Sequence, residues 1–205
     1  MHIAVEGPIG AGKTTLARQL ATYLEWARRI PVRLSLENYQ RNAFLADFYA
    51  TPDRWALAAQ LDFLVSRHKQ LEALPTTGDE VIVADHTLLK DRIFADLVLQ
   101  GRELALYREI ADAMPVGGSR PTLMIYLDIE TDTLLSRIAK RGRDFETSIT
   151  AAYLHDLHQL YRRYLARSEV PVLTVDADLV DPGSDEQLAA LWQRILRAHP
   201  GSDRQ

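Results

Sequence analysis

The chain has 205 residues, of which 47% are hydrophobic and 25% charged, and its formal net charge is −4. We expect a chain of this size to bury one core, with a single domain over 1–198 and a flexible, polar tail over 199–205. The negative charge disfavours nucleic acid as a partner. The absence of cysteine excludes disulfides and thiolate metal sites. No apolar run approaches the roughly 20 residues of a membrane span, so we expect a cytoplasmic protein without a membrane partner.

Short β-rich runs alternate with longer segments whose apolar residues recur at helical spacing. The runs are His2–Glu6, Val32–Leu36, Val81–Asp85, Thr122–Asp128 and Val170–Asp176. After the first run, for example, Leu16, Leu20 and Leu24 repeat every four residues, as on one face of a helix. This alternation predicts an α/β fold with a five-stranded, mainly parallel sheet flanked by helices.

The first run leads directly into a glycine-rich loop that matches the pattern G-x-x-x-x-G-K-S/T. Its residues are Gly7, Pro8, Ile9, Gly10, Ala11, Gly12, Lys13 and Thr14, with Thr15 after them. Such a loop between a strand and a helix surrounds phosphates with backbone N–H groups. Lys13 is expected to reach the β- and γ-phosphates, and the Thr14 hydroxyl to ligate Mg²⁺. The loop therefore predicts binding of ATP or GTP, rather than an ordinary glycine-containing turn.

Two acidic residues follow strands at the same predicted edge of the sheet. Asp85 ends the run that begins at Val81, and Glu37 comes directly after the second run. Ligands of parallel sheets bind at the carboxyl ends of the strands, so Asp85 suits a magnesium ligand and Glu37 suits a proton acceptor for an attacking hydroxyl. The alternatives are a helix cap for Asp85 and a solvated loop acid for Glu37.

A basic segment later in the chain is typical of a lid over phosphates. Arg137 and Arg141 lie one turn apart on a predicted helix that ends at Gly142, and Arg143 follows in the loop. Arginines in such a position can stabilise the charge of a transferring phosphoryl group. The alternative is a solvated helix end whose cations complement the helix dipole.

Four separated patches of the chain resemble the deoxyribonucleoside kinases, most closely the bacterial deoxyadenosine and deoxyguanosine kinases. They are the glycine-rich loop, Asn42–Tyr49 with Trp55, Gln60 and Arg67, the segment Asp85–Ala95, and the segment Arg137–Arg143. The resemblance extends from the loop to Asp178. It implies a P-loop kinase with an arginine-bearing lid that uses ATP and Mg²⁺.

The resemblance also implies a reaction and a role for each matching residue. The reaction is transfer of the ATP γ-phosphoryl group to the 5′-hydroxyl of a deoxynucleoside, with a purine favoured, in nucleotide salvage by a homodimer. Glu37 would be the general base, while Lys13, Arg137, Arg141 and Arg143 would stabilise the transferred group. Binding roles fall to the 3′-hydroxyl contacts Tyr49 and Glu146, the base contacts Gln60, Arg67 and Asp91, and the adenine loop at Asp176 and Asp178.

One position departs from the family. Where relatives have an acid followed by arginine, this chain has Asp85 followed by His86. We predict that His86 still faces the phosphates and the substrate, although a role in capping or packing is an equal alternative.

Two other functions fit part of the pattern. A thymidylate-type nucleoside monophosphate kinase shares the loop and the lid, but it would need a cation for an acceptor phosphate where this chain has Glu37. A nucleotide-dependent switch is less favoured, because the guanine-reading sequence Asn-Lys-x-Asp is absent.

Overall fold

The computed structural model describes residues 1–115 and 117–199. Its five strands form one sheet in the order β2-β3-β1-β4-β5. Every neighbouring pair is parallel, which confirms the predicted α/β class. The strands are β1 (His2–Glu6), β2 (Val32–Ser35), β3 (Val81–Ala84), β4 (Leu123–Asp128) and β5 (Val172–Asp176).

Helices separate the strands and cover the sheet. They are α1 (Lys13–Ala27), α2 (Leu45–Ala50), α3 (Pro52–Glu72), α4 (Leu88–Val98), α5 (Gly101–Ala113), α6 (Thr131–Arg141), α7 (Ala151–Leu165) and α8 (Asp185–Ala198). Local sequence signals determine where several of these helices begin or end. Pro52 opens α3, where its missing N–H costs no helical hydrogen bond. The Thr87 side chain accepts hydrogen bonds from the first turn of α4, and Gly142 ends α6 in the left-handed region, with φ 65°.

The core has a main cluster on the sheet and a second cluster among the helices. Leu16, Leu20 and Leu24 of α1 are buried against the sheet, and each contributes roughly 2 kcal/mol of hydrophobic burial. The second cluster joins α2, α3, α4 and α5, and it contains Leu99. Leu99 is 2% exposed and is therefore part of the interior of the chain.

The strand order brings the candidate site together. β1 lies between β3 and β4, so the glycine-rich loop leaves the middle of the carboxyl edge. The segments after β2 and β3 emerge beside it, and Asp85 N–H donates to the carbonyl of Ser35. Ligands of open parallel sheets bind at this edge.

The predicted tail begins with a contact. His199 Nε2 lies 3.1 Å from the hydroxyl of Thr122, so this residue is tied to the start of β4, whereas 200–205 lie outside the described residues. Within the parts of the chain that the structure describes, no helix is both long enough and apolar enough to cross a membrane.

Candidate active site

The glycine-rich loop has the backbone of a phosphate cradle. Gly10 and Gly12 have φ of 88° and 95°, a region that L side chains rarely adopt. A Cβ on Gly10 would also lie 3.0 Å from the side chain of Ile138. The Lys13 ammonium group donates to the carbonyls of Gly7 and Pro8 at 2.8 Å each. The side chain of Lys13, at the start of α1, thus binds the backbone at the beginning of the loop.

The ammonium group of Lys13 lies in an unusual electrostatic environment. Burial and the nearby charge of Lys90 lower the pKa of Lys13 to about 7, whereas the carboxylates of Glu6, Glu37 and Asp85 oppose this change. Two ammonium groups in one partly desolvated site attract an anion more strongly than either does alone. The site is therefore suited to bind a polyphosphate.

Thr14 and Asp85 form the oxygen pair that the sequence predicted. The Thr14 hydroxyl donates to Asp85 Oδ2 at 2.5 Å, and Asp85 Oδ1 accepts from the backbone N–H of Glu37 at 2.6 Å. Hydroxyl and carboxylate oxygens are the donors that Mg²⁺ prefers, and Mg²⁺ commonly takes its remaining ligands from water and phosphates. The donor set fits a magnesium ion at a nucleotide site.

Glu37 is held by two cations. Its Oε1 accepts from Arg67 Nε at 2.7 Å and lies 2.5 Å from Arg67 Nη2, and its Oε2 accepts from Lys90 at 2.6 Å. Asp91 binds the other end of the Arg67 guanidinium group. Burial raises the pKa of Glu37, but the charges of Arg67 and Lys90 outweigh it and hold the pKa well below its usual range. Glu37 is therefore an oriented, ionised carboxylate at neutral pH.

Two cavities meet at this carboxylate. The larger, about 720 Å³, follows the glycine-rich loop and reaches Ala177, Val180 and Pro182. The smaller, about 130 Å³, lies beneath α2, α3 and the turn before α7. Both are lined by Gly10, Lys13, Thr14, Glu37, Tyr39, Arg141 and Arg143. A phosphate in one cavity and a small molecule in the other would therefore meet between Glu37 and a group of cations.

The smaller cavity has the chemistry of a nucleoside site. Gln60 and Arg67 of α3 both line it, as do Tyr49 and Glu146, so the first two share one groove. Two buried polar atoms at this cavity, Gln60 Oε1 and the Tyr153 hydroxyl, have no hydrogen-bond partner among the described residues. Buried polar atoms without a partner are costly. Aromatic walls from Phe48, Phe63, Phe94 and Phe145 complete the cavity.

The lid arginines fall into two groups. Arg141 and Arg143 both bind the buried carboxylate of Glu146, at 2.5 and 3.1 Å. Arg137 instead donates to the carbonyls of Ala11 and Ala177 and to Asp178. All three arginines line the larger cavity. In this structure, Arg137 joins the loop to the segment after β5, while the other two join the two cavities.

Several predicted contact residues lie behind the cavities. His86 is fully buried, and its Nε2 lies 2.9 Å from the hydroxyl of Ser35. It lines neither cavity, so the prediction that it faces the phosphates is wrong in this structure. His86 lies between β3 and α4, and its ring is directed to Ser35 at the end of β2.

Five other predicted contact residues also line neither cavity. Gly7 and Pro8 are buried and bind Lys13 through their carbonyls, and Asp91 acts through Arg67. The adenine loop lines the larger cavity through Ala177, Val180 and Pro182. Its acids have internal partners: Asp178 binds Arg137, and Asp176 accepts from the N–H of Asp178. These acids support the loop's shape.

Three residues at the site were missed in the sequence. Glu6 is completely buried at the end of β1, where it accepts from the hydroxyls of Thr87 and Tyr161. Burial raises the pKa of Glu6, and the charges of Lys90 and Lys13 oppose this. Tyr153 of α7 lines the smaller cavity. The sequence does contain a signal for Lys90, because a cation in the first turn of a helix is unfavourable and therefore indicates a compensating partner.

Comparison with known proteins agrees with this geometry. A sequence model of the family described as deoxynucleoside kinase matches residues 3–197. The deoxyguanosine kinase of Bacillus subtilis is 36% identical over 190 residues, which cover 87% of this chain and 87% of the relative. The deoxyadenosine kinase of Dictyostelium discoideum is 32% identical over 200 residues, covering 93% of this chain and 77% of the relative.

A solved structure has the same fold. It is that of the deoxyadenosine kinase of M. mycoides with bound dATP, and it covers 95% of this chain and 99% of its own. The TM-score is 0.80 and the sequence identity is 25%.

Proposed function

Because this chain belongs to the deoxynucleoside kinase family, we propose that it transfers the γ-phosphoryl group of ATP to the 5′-hydroxyl of a purine deoxynucleoside, with Glu37 as the general base. The observation that carries the proposal is the junction of the two cavities. One side has a phosphate loop, the other has unsatisfied polar groups between aromatic walls, and Glu37 lines both. Family membership disfavours the two alternatives, a thymidylate-type kinase and a nucleotide-dependent switch.

The donor occupies the larger cavity in this proposal. The backbone N–H groups of the loop and the start of α1 bind the β- and γ-phosphates. Lys13 turns from its own loop carbonyls to the phosphates, whose charge restores its full protonation. Thr14 and Asp85 hold Mg²⁺, which neutralises phosphate charge when bound. The adenine packs against the segment at Ala177, Val180 and Pro182, all of which line this cavity.

The acceptor occupies the smaller cavity. Its base lies between the aromatic walls, where the Gln60 amide offers a donor and an acceptor to a purine edge. Tyr49 and Glu146 also line this cavity and suit the 3′-hydroxyl. The 5′-hydroxyl then points toward Glu37 and the phosphate loop. A purine is favoured because the two relatives of known sequence are named for deoxyguanosine and deoxyadenosine.

The protein contributes little covalent chemistry to the transfer step. The 5′-O–H bond breaks, its proton goes to Glu37, and the oxygen forms a bond to the γ-phosphorus. The bond from that phosphorus to the bridging oxygen breaks, and its electron pair leaves on ADP. Lys13, Arg141 and Arg143 surround the place where charge accumulates. Positioning and electrostatics supply most of the acceleration.

Arg141 and Arg143 have to leave Glu146 in part if they are to reach the phosphoryl group. We propose that the segment from α6 to α7 closes in this way when both substrates are bound, which excludes water from the reaction. Arg137 remains on Ala11 and Asp178 and keeps the adenine loop against the phosphate loop.

A cytoplasmic homodimer completes the proposal, and it is supported by the family resemblance. Light scattering after size-exclusion chromatography tests the dimer, which predicts a mass of about twice that of one chain.

The substrate assignment is tested by assaying the four deoxynucleosides side by side. ADP formation with MgATP is expected to depend on added deoxynucleoside, to be fastest with deoxyguanosine or deoxyadenosine, and to give the 5′-monophosphate. ADP formation that is unaffected by all four would contradict the proposal. Faster turnover of deoxycytidine or thymidine would refute the purine preference alone.

A further inference from the structure

Lys90 is a buried cation that no sequence motif assigned. It is the third residue of α4, and only 7% of its surface is exposed. Burying an ammonium group is costly unless it is paired, and a cation in the first turn of a helix also opposes the helix dipole. Two unfavourable features at one residue call for a compensating interaction.

The compensation comes from the reaction site. The Lys90 ammonium group donates to Glu37 Oε2 at 2.6 Å. Among the described residues, that carboxylate is the only acceptor recorded for its three N–H bonds. Lys90 also lines the smaller cavity beside Lys13 and Thr14. The ammonium group also lies 5.8 Å from the ring centroid of Phe94, and its position in the cavity lining lets it reach a ligand where the cavities meet.

The position of His86 explains why a cation is needed here. His86 is enclosed beside Ser35 and lines neither cavity. It therefore presents no group to the phosphates. Lys90, four residues further along the chain, does line the smaller cavity.

We propose that Lys90 is a further catalytic residue, whose ammonium group orients the Glu37 carboxylate and binds an oxygen of the phosphoryl group as it is transferred. This inference rests on the proposed function. Lys90 keeps its proton throughout, while Glu37 takes the proton of the 5′-hydroxyl. The same ammonium group thus links the base to the charge that develops on the phosphoryl oxygens, and it acts together with Lys13.

The main test compares Lys90→Met with wild type, with Lys90→Arg as the variant that keeps the charge. Lys69→Met is the matched control, because Lys69 is an exposed residue of α3. We expect Lys90→Met to lower kcat by on the order of 10²-fold, with a KM for ATP within about threefold of wild type. Lys90→Arg should recover at least about a tenth of the activity, and Lys69→Met should match wild type.

A pH readout separates this role from simple structural support. The titratable or charged groups that face Glu37 are Lys13, Tyr49, Arg67, Asp85, His86, Lys90 and Asp91. Only one of them is removed in Lys90→Met. The pKa of Glu37 should rise in that variant, because the loss of a nearby cation disfavours the carboxylate. The acidic limb of the kcat/KM profile should therefore move to higher pH.

Direct titration of the Glu37 carboxyl carbon by NMR makes the test independent of turnover. An unchanged Glu37 pKa in Lys90→Met would overturn the contact even if no deoxynucleoside were phosphorylated. Wild-type kcat in Lys90→Met, with wild-type phosphorylation of a deoxynucleoside, would overturn the catalytic role and leave the proposed function standing. If Lys90→Met does not fold, Lys90→Gln serves as the neutral variant, with the same expectations.

Discussion

Replacing Glu37 by glutamine removes the proposed base with the smallest change of shape. The carboxylate accepts hydrogen bonds from Arg67 and Lys90 at 2.7 and 2.6 Å. A glutamine amide can accept with one oxygen only, and its NH₂ group must face one of the two cations. We expect kcat to fall by about 10² to 10⁴-fold, which is about 3–5 kcal/mol of transition-state stabilisation.

Affinity for ATP should survive the same substitution. The phosphate loop binds through the backbone, Lys13 and Thr14, so the Kd for MgATP should stay within about threefold of wild type. Calorimetry gives the Kd and a coupled ADP assay gives kcat. Glu25→Gln, on the exposed face of α1, is the control and should behave as wild type. A Glu37→Gln variant with near-normal kcat would refute the assignment of the base.

Three further predictions concern charge. Burial and the charge of Lys90 lower the pKa of Lys13 to about 7, so the protein should take up as much as about one proton when it binds MgATP at pH 8. Calorimetry in buffers of different ionisation enthalpy measures this uptake. Binding without proton uptake would contradict the prediction. The pKa of His86 is lowered to about 4, so its contribution to stability is complete above the unfolded value near 6.5 and is lost as the pH falls toward 4. In urea titrations His86→Asn should therefore lose less stability than wild type over that range, and an equal loss would refute this. Arg67→Met leaves Asp91 and Glu37 without their shared cation and should cost about 3–5 kcal/mol of unfolding free energy, whereas a loss below about 1 kcal/mol would show that the pair is not needed.

The backbone of the site was predictable because it depends on local signals. Strand β1, the glycine pattern and the start of α1 are contiguous in the sequence, and a parallel sheet brings Glu37 and Asp85 to the same edge. Gln60 and Arg67 share a groove because seven residues make two turns of a helix. Each of these inferences needs only the period of one element.

The missed residues depend on how elements are rotated against one another. Whether Lys90 or its neighbours in α4 turn toward Glu37 is decided by the packing of that helix, which no local pattern specifies. His86 was placed wrongly for a similar reason, since no local pattern specifies that its ring turns to Ser35 at the end of β2. Glu6 was hidden because an acid at the end of an apolar strand is not expected to be buried.

The central claim is that Glu37 lies between the acceptor hydroxyl and the donor phosphates. A crystal structure of the protein with deoxyguanosine, ADP and Mg²⁺ tests it most directly. We expect the 5′-oxygen within about 3 Å of a carboxylate oxygen of Glu37, on the side that faces Lys13. A deoxynucleoside bound with its 5′-oxygen turned away from Glu37, or bound outside the smaller cavity, would contradict the account.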